Sequence, residues 1–333
     1  MNPIPLFLSL LRRVGIDGFM FGIIMMIVLA YVDPSIGITK RGVSLEQVAG
    51  FGVSLIFFFY GLRLSPEKLK EGLSNWRMHL VIQTATFIYF PLIVLAFRPL
   101  FAGTGAEAFW MGTFFLASLP STVSSSVVMV SIAGGNIPAA IFNASISSLV
   151  GVIATPLWTG LVLSASTGAF NPGDVAIKLA LQVILPVALG IALHHRFGAF
   201  ADKHRKALRY SDQTVILLII YTSFCKSFAE HIFSGFSPAK IVLLGAAMVA
   251  LFFFAMASMT ATGKFLGFSL IDRITVLFCG SKKSLVHGSV MVKVLFPGSP
   301  YIGILLLPLM MYHALQIIIA SVIARKISKA TGH

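Results

Sequence analysis

The chain alternates long apolar runs with short polar joints, and the runs are too long for strands. A helix needs roughly 20 apolar residues to cross the hydrocarbon of a bilayer. Runs of that kind fall near 14–32, 46–63, 78–100, 107–134, 137–165, 174–195, 211–233, 238–263, 271–296 and 300–325. The pattern predicts an all-α polytopic membrane protein with ten transmembrane helices. The only sizeable polar joints are SPEKLKEGLSNWR (65–77) and RFGAFADKHRKALRYSD (196–212), so residues 1–333 read as a single transmembrane domain. Arg12 and Arg13 lead into the first run without a small-residue cleavage site, which points to a span and not to a cleaved leader.

Two runs are interrupted by polar residues at mid-membrane depth. The fourth contains LPSTVSSSVV (Leu119–Val128) and the ninth contains CGSKKSLVHGSV (Cys279–Val290). Ten helices divide into five and five, and an odd number per half reverses the direction of the second half. The expectation is therefore two inverted five-helix repeats, about 14–165 and 174–325. Discontinuous helices 4 and 9 then fall in matching positions, which is where secondary transporters place their sites.

Composition agrees with the pattern. Hydrophobic residues make up 57% of the 333 and charged residues 11%, with a mean hydropathy of +0.93. An ordinary soluble domain carries about 25% charged residues. Too few polar side chains remain to coat a globule, so the lipid bilayer is the outer partner. A net charge of +14 invites a nucleic-acid reading, but basic cytoplasmic loops explain it in a membrane chain, and no nucleic acid is expected. Counting Lys and Arg joint by joint puts 16 on the side of the N-terminus and 7 on the other. Both termini then lie in the cytoplasm, with the chain multi-pass in a plasma (bacterial inner) membrane. Lys282 and Lys283 belong to neither side. Cys225 and Cys279 lie in apolar runs and suggest neither a disulfide nor a zinc site.

The interruptions carry the candidate chemistry. Pro120 removes a backbone donor and disfavours helix at Leu119. Thr122, Ser124, Ser125 and Ser126 supply hydroxyls around that break, hard oxygen ligands suited to Na⁺ or to polar substrate atoms. The plain alternative is that they cap their own helix or let helices pack closely. Asn143 and Ser147 share a face at i, i+4, as do Gln83 and Thr86 one turn apart. Segment ten adds Tyr312, His313 and Gln316. Each of these could equally be an interhelical contact.

One charge at the bilayer centre costs about 2.5–3.5 kcal/mol on insertion scales. Snorkelling suits a lysine near a helix end, whereas Lys282 and Lys283 have about ten apolar or small residues on each side. A re-entrant hairpin is the other way to place them. The more economical reading is one interrupted span, with both ammoniums between Ser281 and Ser284 reaching into a wet cavity and His287 one turn along. The eleven acids all lie at segment ends or in joints. Cations without mid-membrane carboxylates predict a small organic anion as substrate. An enzyme would need a nucleophile with its base, paired aspartates or a His–Glu metal site at membrane depth, and the runs contain none. A non-transporting regulatory or scaffold protein stays open, as does the oligomeric state.

The ordered set LPSTVSSSVV, AGGN, IFNASISSLVGVIATPLW, FCGSKKSLVHG and LPLMMYHALQ resembles the bile acid:sodium symporter family, in its SBF-like branch, over essentially the whole chain. The resemblance implies a symporter-like secondary active transporter working by alternating access. Segments 1, 2, 6 and 7 would form a panel; segments 3, 4, 5, 8, 9 and 10 would form a core in which 4 and 9 are unwound and cross. It also implies two sodium ions behind the crossover. Their Ser-Asn ligand pair maps to Ser125 and Ser126, and their segment-five face lies near Ala140, Asn143 and Ala144. A Glu ligand maps to Ser281 and the Gln one turn on maps to Leu285; a further Gln falls near Thr86, one turn from Gln83. Na⁺ would then be held by Ser125, Ser126 and Asn143. The missing carboxylate, with Lys282 beside its position, sets Na⁺ against H⁺ as coupling ion, or against exchange; no other cofactor is implied.

Overall fold

The computed structural model describes residues 18–39, 44–64, 75–167, 177–234 and 236–331. Among these, every regular element is a helix. The order is α1 (Gly18–Val32), α2 (Leu45–Leu62), α3 (Trp76–Leu100), α4 (Glu107–Ser118), α5 (Ser124–Ile132), α6 (Ile137–Thr167) and α7 (Ile177–Ala192). Then come α8 (His194–Lys203), α9 (Arg205–Ala229), α10 (Pro238–Phe265), α11 (Leu270–Ser281), α12 (Leu285–Leu295) and α13 (Ile302–Thr331). Arg12, Arg13, the start of the first and sixth predicted segments, and most of the 65–77 joint lie outside the described residues.

Among the described residues, five helices are long and apolar enough to cross a membrane alone: α2, α3, α6, α10 and α13. The bent pair α7 and α8 makes six if it counts as one span. Length and composition of the described helices thus account for five or six of the ten expected crossings. The fourth segment is two short helices, α4 and α5, and the ninth is α11 and α12, because each stops at its polar interruption. The described part of the first segment is 15 residues. Large apolar side chains such as Phe21, Leu92, Leu161, Leu181, Leu243 and Phe265 are exposed, in keeping with lipid as the outer solvent.

The helices pack in two groups. α1 packs on α9, and α2 packs on α7 and α9; α3 to α6 pack with α10 to α13, and α9 joins the groups by also packing on α12 and α13. Within the first group the backbones of α2 and α7 approach closely at two glycines. A Cβ on Gly61 would lie 2.3 Å from the carbonyl oxygen of Val187, and one on Gly190 would lie 2.3 Å from that of Phe58. Small residues permit such contact in a membrane, where apolar burial alone drives no association. α2 starts with a capping box, in which Ser44 Oγ accepts from the Gln47 amide and Gln47 Oε1 accepts from the Ser44 amide. Ion pairs tie Arg63 at the end of α2 to Asp212 on α9, and Glu46 to Lys293 at the end of α12, at 2.9 and 2.8 Å. Cys225 and Cys279 are buried and unpaired with each other.

Candidate substrate and ion site at two facing helix breaks

The first break follows from Pro120. Leu119 takes an extended conformation, φ −76° and ψ 152°, as the residue before a proline should, and α4 ends at Ser118. The proline ring rests on α6 at Gly151, where a Cβ would come within 2.8 Å of it. The second break is also extended, with Lys282 at φ −100° and ψ 149°, and Ser284 caps the start of α12 by accepting from the His287 amide.

Breaking a helix in the membrane interior strips carbonyls of their partners, and each must find another. The two breaks satisfy one another. From the first, Ser121 Oγ donates to the Cys279 carbonyl at 2.6 Å and Ser126 Oγ donates to that of Phe278 at 3.3 Å. From the second, the Ser284 amide donates to the Pro120 carbonyl at 2.9 Å. The remaining exposed ends are taken by neighbours. Thr155 Oγ1 of α6 donates to the Ser118 carbonyl, Ser147 Oγ accepts from the Ser121 amide, and the Tyr312 hydroxyl donates to the Ser281 carbonyl. Gln316 clasps the Lys283 backbone from both sides, its Oε1 accepting from the amide at 2.9 Å and its Nε2 donating to the carbonyl at 2.8 Å.

The two lysines differ sharply. Lys283 Nζ donates to three backbone carbonyls, of Thr86 at 2.8 Å, Ala117 at 2.6 Å and Leu119 at 2.9 Å, and lies 5.4 Å from the centre of the Phe90 ring. Three carbonyl acceptors match the three N–H groups of an ammonium. Two of those carbonyls end α4, where the helix dipole favours a cation. The third becomes available in a π turn, Ala85–Tyr89, just ahead of Pro91. Pro91 cannot donate to the Phe87 carbonyl, and Trp158 Nε1 does so instead at 2.6 Å. Lys282 Nζ makes one hydrogen bond among the described residues, to the Ser125 carbonyl at 3.0 Å. Neither ammonium has a carboxylate within ion-pair distance among the described residues.

Among the described residues the two lysines face protein and not open water in this conformation. Both residues are buried, and the void touching Lys283 measures about 10 Å³, lined by Phe90, Ala117 and Tyr312 among others. That is room for about one water. His287 is not a partner of the lysines either. Its Nδ1 faces Ser284 Oγ at 3.1 Å and its ring meets Phe57 and Tyr60 edge-on. His313 Nδ1 instead meets Gln316 Nε2 at 2.8 Å, orienting that amide.

Other predicted residues form two further clusters. Thr122 Oγ1 lies 2.8 Å from both Ser125 Oγ and Ser126 Oγ, while Ser124 is exposed at the start of α5. Ser281 Oγ turns back to the Leu277 carbonyl, and Thr86 Oγ1 turns back to that of Ile82. Asn143 sits with Gln83, whose Nε2 reaches its Oδ1 at 3.3 Å, and with His79, whose Nδ1 lies 2.8 Å from its Nδ2. The described hydrogen bonds do not join Asn143 to Ser125 or Ser126.

Sequence reasoning missed His79 and Ser121. His79, Gln83 and Thr86 lie at i, i+4 and i+7, a shared face that was available to be read. Ser121 carries two of the bonds between segments yet gives no local signal beyond following Pro120. Thr155 and Trp158 likewise serve backbone groups that only the fold brings to them.

Comparison with known proteins places this geometry in context. The model of the SBF-like CPA transporter family matches residues 17–329. An uncharacterized protein of Pseudomonas aeruginosa, PA2026, is 37% identical over 313 residues, covering 94% of this chain and 93% of that protein. Sodium/bile acid cotransporter 7 of Danio rerio is 30% identical, covering 95% of each chain. The protein of the same name from Rattus norvegicus is also 30% identical, covering 95% of this chain and 94% of its own. With its apolar helices and a match spanning nearly its whole length, the chain belongs to the SBF-like CPA transporter family, whose members are membrane-embedded transporters and not enzymes.

Proposed function

We propose that the chain is a secondary active transporter of a small organic anion, working by alternating access, with Lys282 as the charge that meets the substrate. In this reading ten crossings form two inverted five-helix repeats, about 14–165 and 174–325, in a plasma (bacterial inner) membrane with both termini cytoplasmic. The observation that carries the reading is the unequal hydrogen bonding of the two ammoniums. Lys283 is saturated by three carbonyls, whereas Lys282 keeps donor capacity beyond its one bond to the Ser125 carbonyl. Three converging carbonyl oxygens make a cage of the kind that holds a monovalent cation. Lys283 fills it with a tethered one.

The residues do not fit a sodium ion at Ser125, Ser126 and Asn143. The two serine hydroxyls are engaged with Thr122, Asn143 Oδ1 is engaged by Gln83, and the Lys282 ammonium rests on the Ser125 carbonyl. A second cation 4 Å from that ammonium would be repelled by about 4 kcal/mol at an effective dielectric of 20. Coupling then falls to Lys282 itself. An empty carrier would cross with an uncompensated buried charge, a cost removed either by releasing a proton or by binding a second anion. Both routes, proton-linked transport and exchange, run without sodium.

The test is uptake of a panel of labelled organic anions into proteoliposomes, with sodium or choline outside, for the wild type and Lys282→Gln. Sodium-independent uptake, accelerated by unlabelled anion or an opposing pH gradient and lost in Lys282→Gln, is expected. Strong sodium dependence unchanged in Lys282→Gln would overturn the proposal. No uptake of any anion would favour the scaffold reading.

A further inference from the structure

α8 is a ten-residue helix joined to α7 through Leu193 and bent from it by 95°. α7 exposes Leu181, Ile184, Leu185 and Leu189, so its outer face meets lipid. A helix turned through a right angle at the end of such a span runs along the membrane surface.

At about 100° per residue, α8 divides into distinct faces. His194, Gly198 and Ala201 share one, which is packed on the end of α2. Gly198 and Ala201 are buried, Ala201 clusters with Leu62 beside Phe58 and Phe59, and His194 Nδ1 lies 2.8 Å from the Leu62 carbonyl. Next to it runs an exposed apolar stripe, Phe197 and Phe200, at 44% and 56% exposure. Beyond the stripe stand Arg196 and Lys203, and the first turns of α9 add Arg205, Lys206 and Arg209, all exposed. The one acid between His194 and Arg209 is Asp202, which pairs with Arg205 at 3.4 Å.

We propose that α8 and the start of α9 form a binding surface for the anionic phospholipid headgroups of the membrane that holds the chain. The phenyl rings enter the boundary between headgroups and acyl chains, and the neighbouring guanidinium and ammonium groups reach the phosphate level. Charge complementarity selects anionic over zwitterionic lipid. Continuity with the lipid-facing side of α7, and phenylalanines beside the basic residues, favour a membrane over a soluble polyanion. Because α8 caps the carbonyl end of α2, lipid held here bears on the helix group containing α1, α2, α7 and α9.

The proposal is tested on the purified full chain by relative association of spin-labelled phosphatidylglycerol and phosphatidylcholine. The wild type should prefer phosphatidylglycerol severalfold. Replacing Arg196→Gln and Lys203→Gln together should bring that preference toward one, since about 1 kcal/mol per charge at the surface corresponds to about fivefold. Because the variants could misfold, the wild type in 1 M salt supplies a second arm, where a screening length of about 3 Å should bring the preference close to one. Equal association of the two lipids with the wild type would overturn the proposal, as would a preference unmoved by both salt and substitution. Displacement of the lipid by free tripolyphosphate at micromolar concentration would assign the surface to a soluble polyanion instead, and would overturn it too.

Discussion

The two helix breaks solve one problem with different chemistry. The first reaches across with neutral hydroxyls, Ser121 and Ser126, each serving one carbonyl at the end of α11. The second reaches across with ammoniums, and Lys283 alone serves three. The difference follows from how the acceptors are arranged. Carbonyls that stand apart along a helix end can each take one neutral donor. Those of Ala117, Leu119 and Thr86 converge on a point, where three oxygen dipoles repel one another and a positive charge is the fitting occupant. Charge at mid-membrane is costly, and this arrangement returns much of that cost as charge-assisted hydrogen bonds.

The largest expected effect comes from removing the cation that fills the convergent set. Lys283→Ala leaves three buried carbonyls without a donor, each worth about 1–3 kcal/mol, so the loss of stability should exceed about 3 kcal/mol. Thermal unfolding in detergent would read it. Lys282→Ala removes one hydrogen bond and should cost less than half as much while abolishing transport. Equal destabilisation by the two substitutions would erase the asymmetry on which their separate roles rest.

Next in size is the support of the first break. Gly151→Ala drives a Cβ to within 2.8 Å of the Pro120 ring, and overpacking of that kind costs about 1–3 kcal/mol. A variant as stable as the wild type would mean the break is not held rigidly against α6. Ser121→Ala should follow at about 1–2 kcal/mol, since the Cys279 carbonyl is left buried and unpaired. The smallest effect belongs to Ser126→Ala, below about 1 kcal/mol, because its bond to the Phe278 carbonyl is long at 3.3 Å and Thr122 can pair with Ser125 instead. A reversed order for these two serines, measured in the same unfolding series, would show that the Thr122 cluster and not the cross-break bond holds the crossover.

Much of this was legible in the residues. The apolar runs gave the membrane and the helical class, and proline with clustered serines marked the first break before any helix was placed. The adjacent lysines marked the second. The count of crossings was less secure, because a run of apolar residues does not say whether it forms one long helix or two short ones: α4 with α5, and α11 with α12, fail the length test that their uninterrupted segments would pass. Gln83 and Asn143 were readable as polar groups at membrane depth, but the bonds that join Asn143 to Gln83 and to His79 depend on α3 lying against α6.

The sequence by itself determined that two lysines would sit in an apolar interior without a neighbouring carboxylate, because every acid lies at the end of a run or in a joint. Which lysine would be structural and which available was decided by the tertiary structure alone. On an extended backbone, successive side chains point to opposite sides, so Lys282 and Lys283 diverge by geometry as soon as the break forms. What each then meets, a cage of three carbonyls or the single carbonyl of Ser125, depends on where the π turn of α3, the end of α4 and the start of α5 come together, and that is set by packing among helices far apart in the chain.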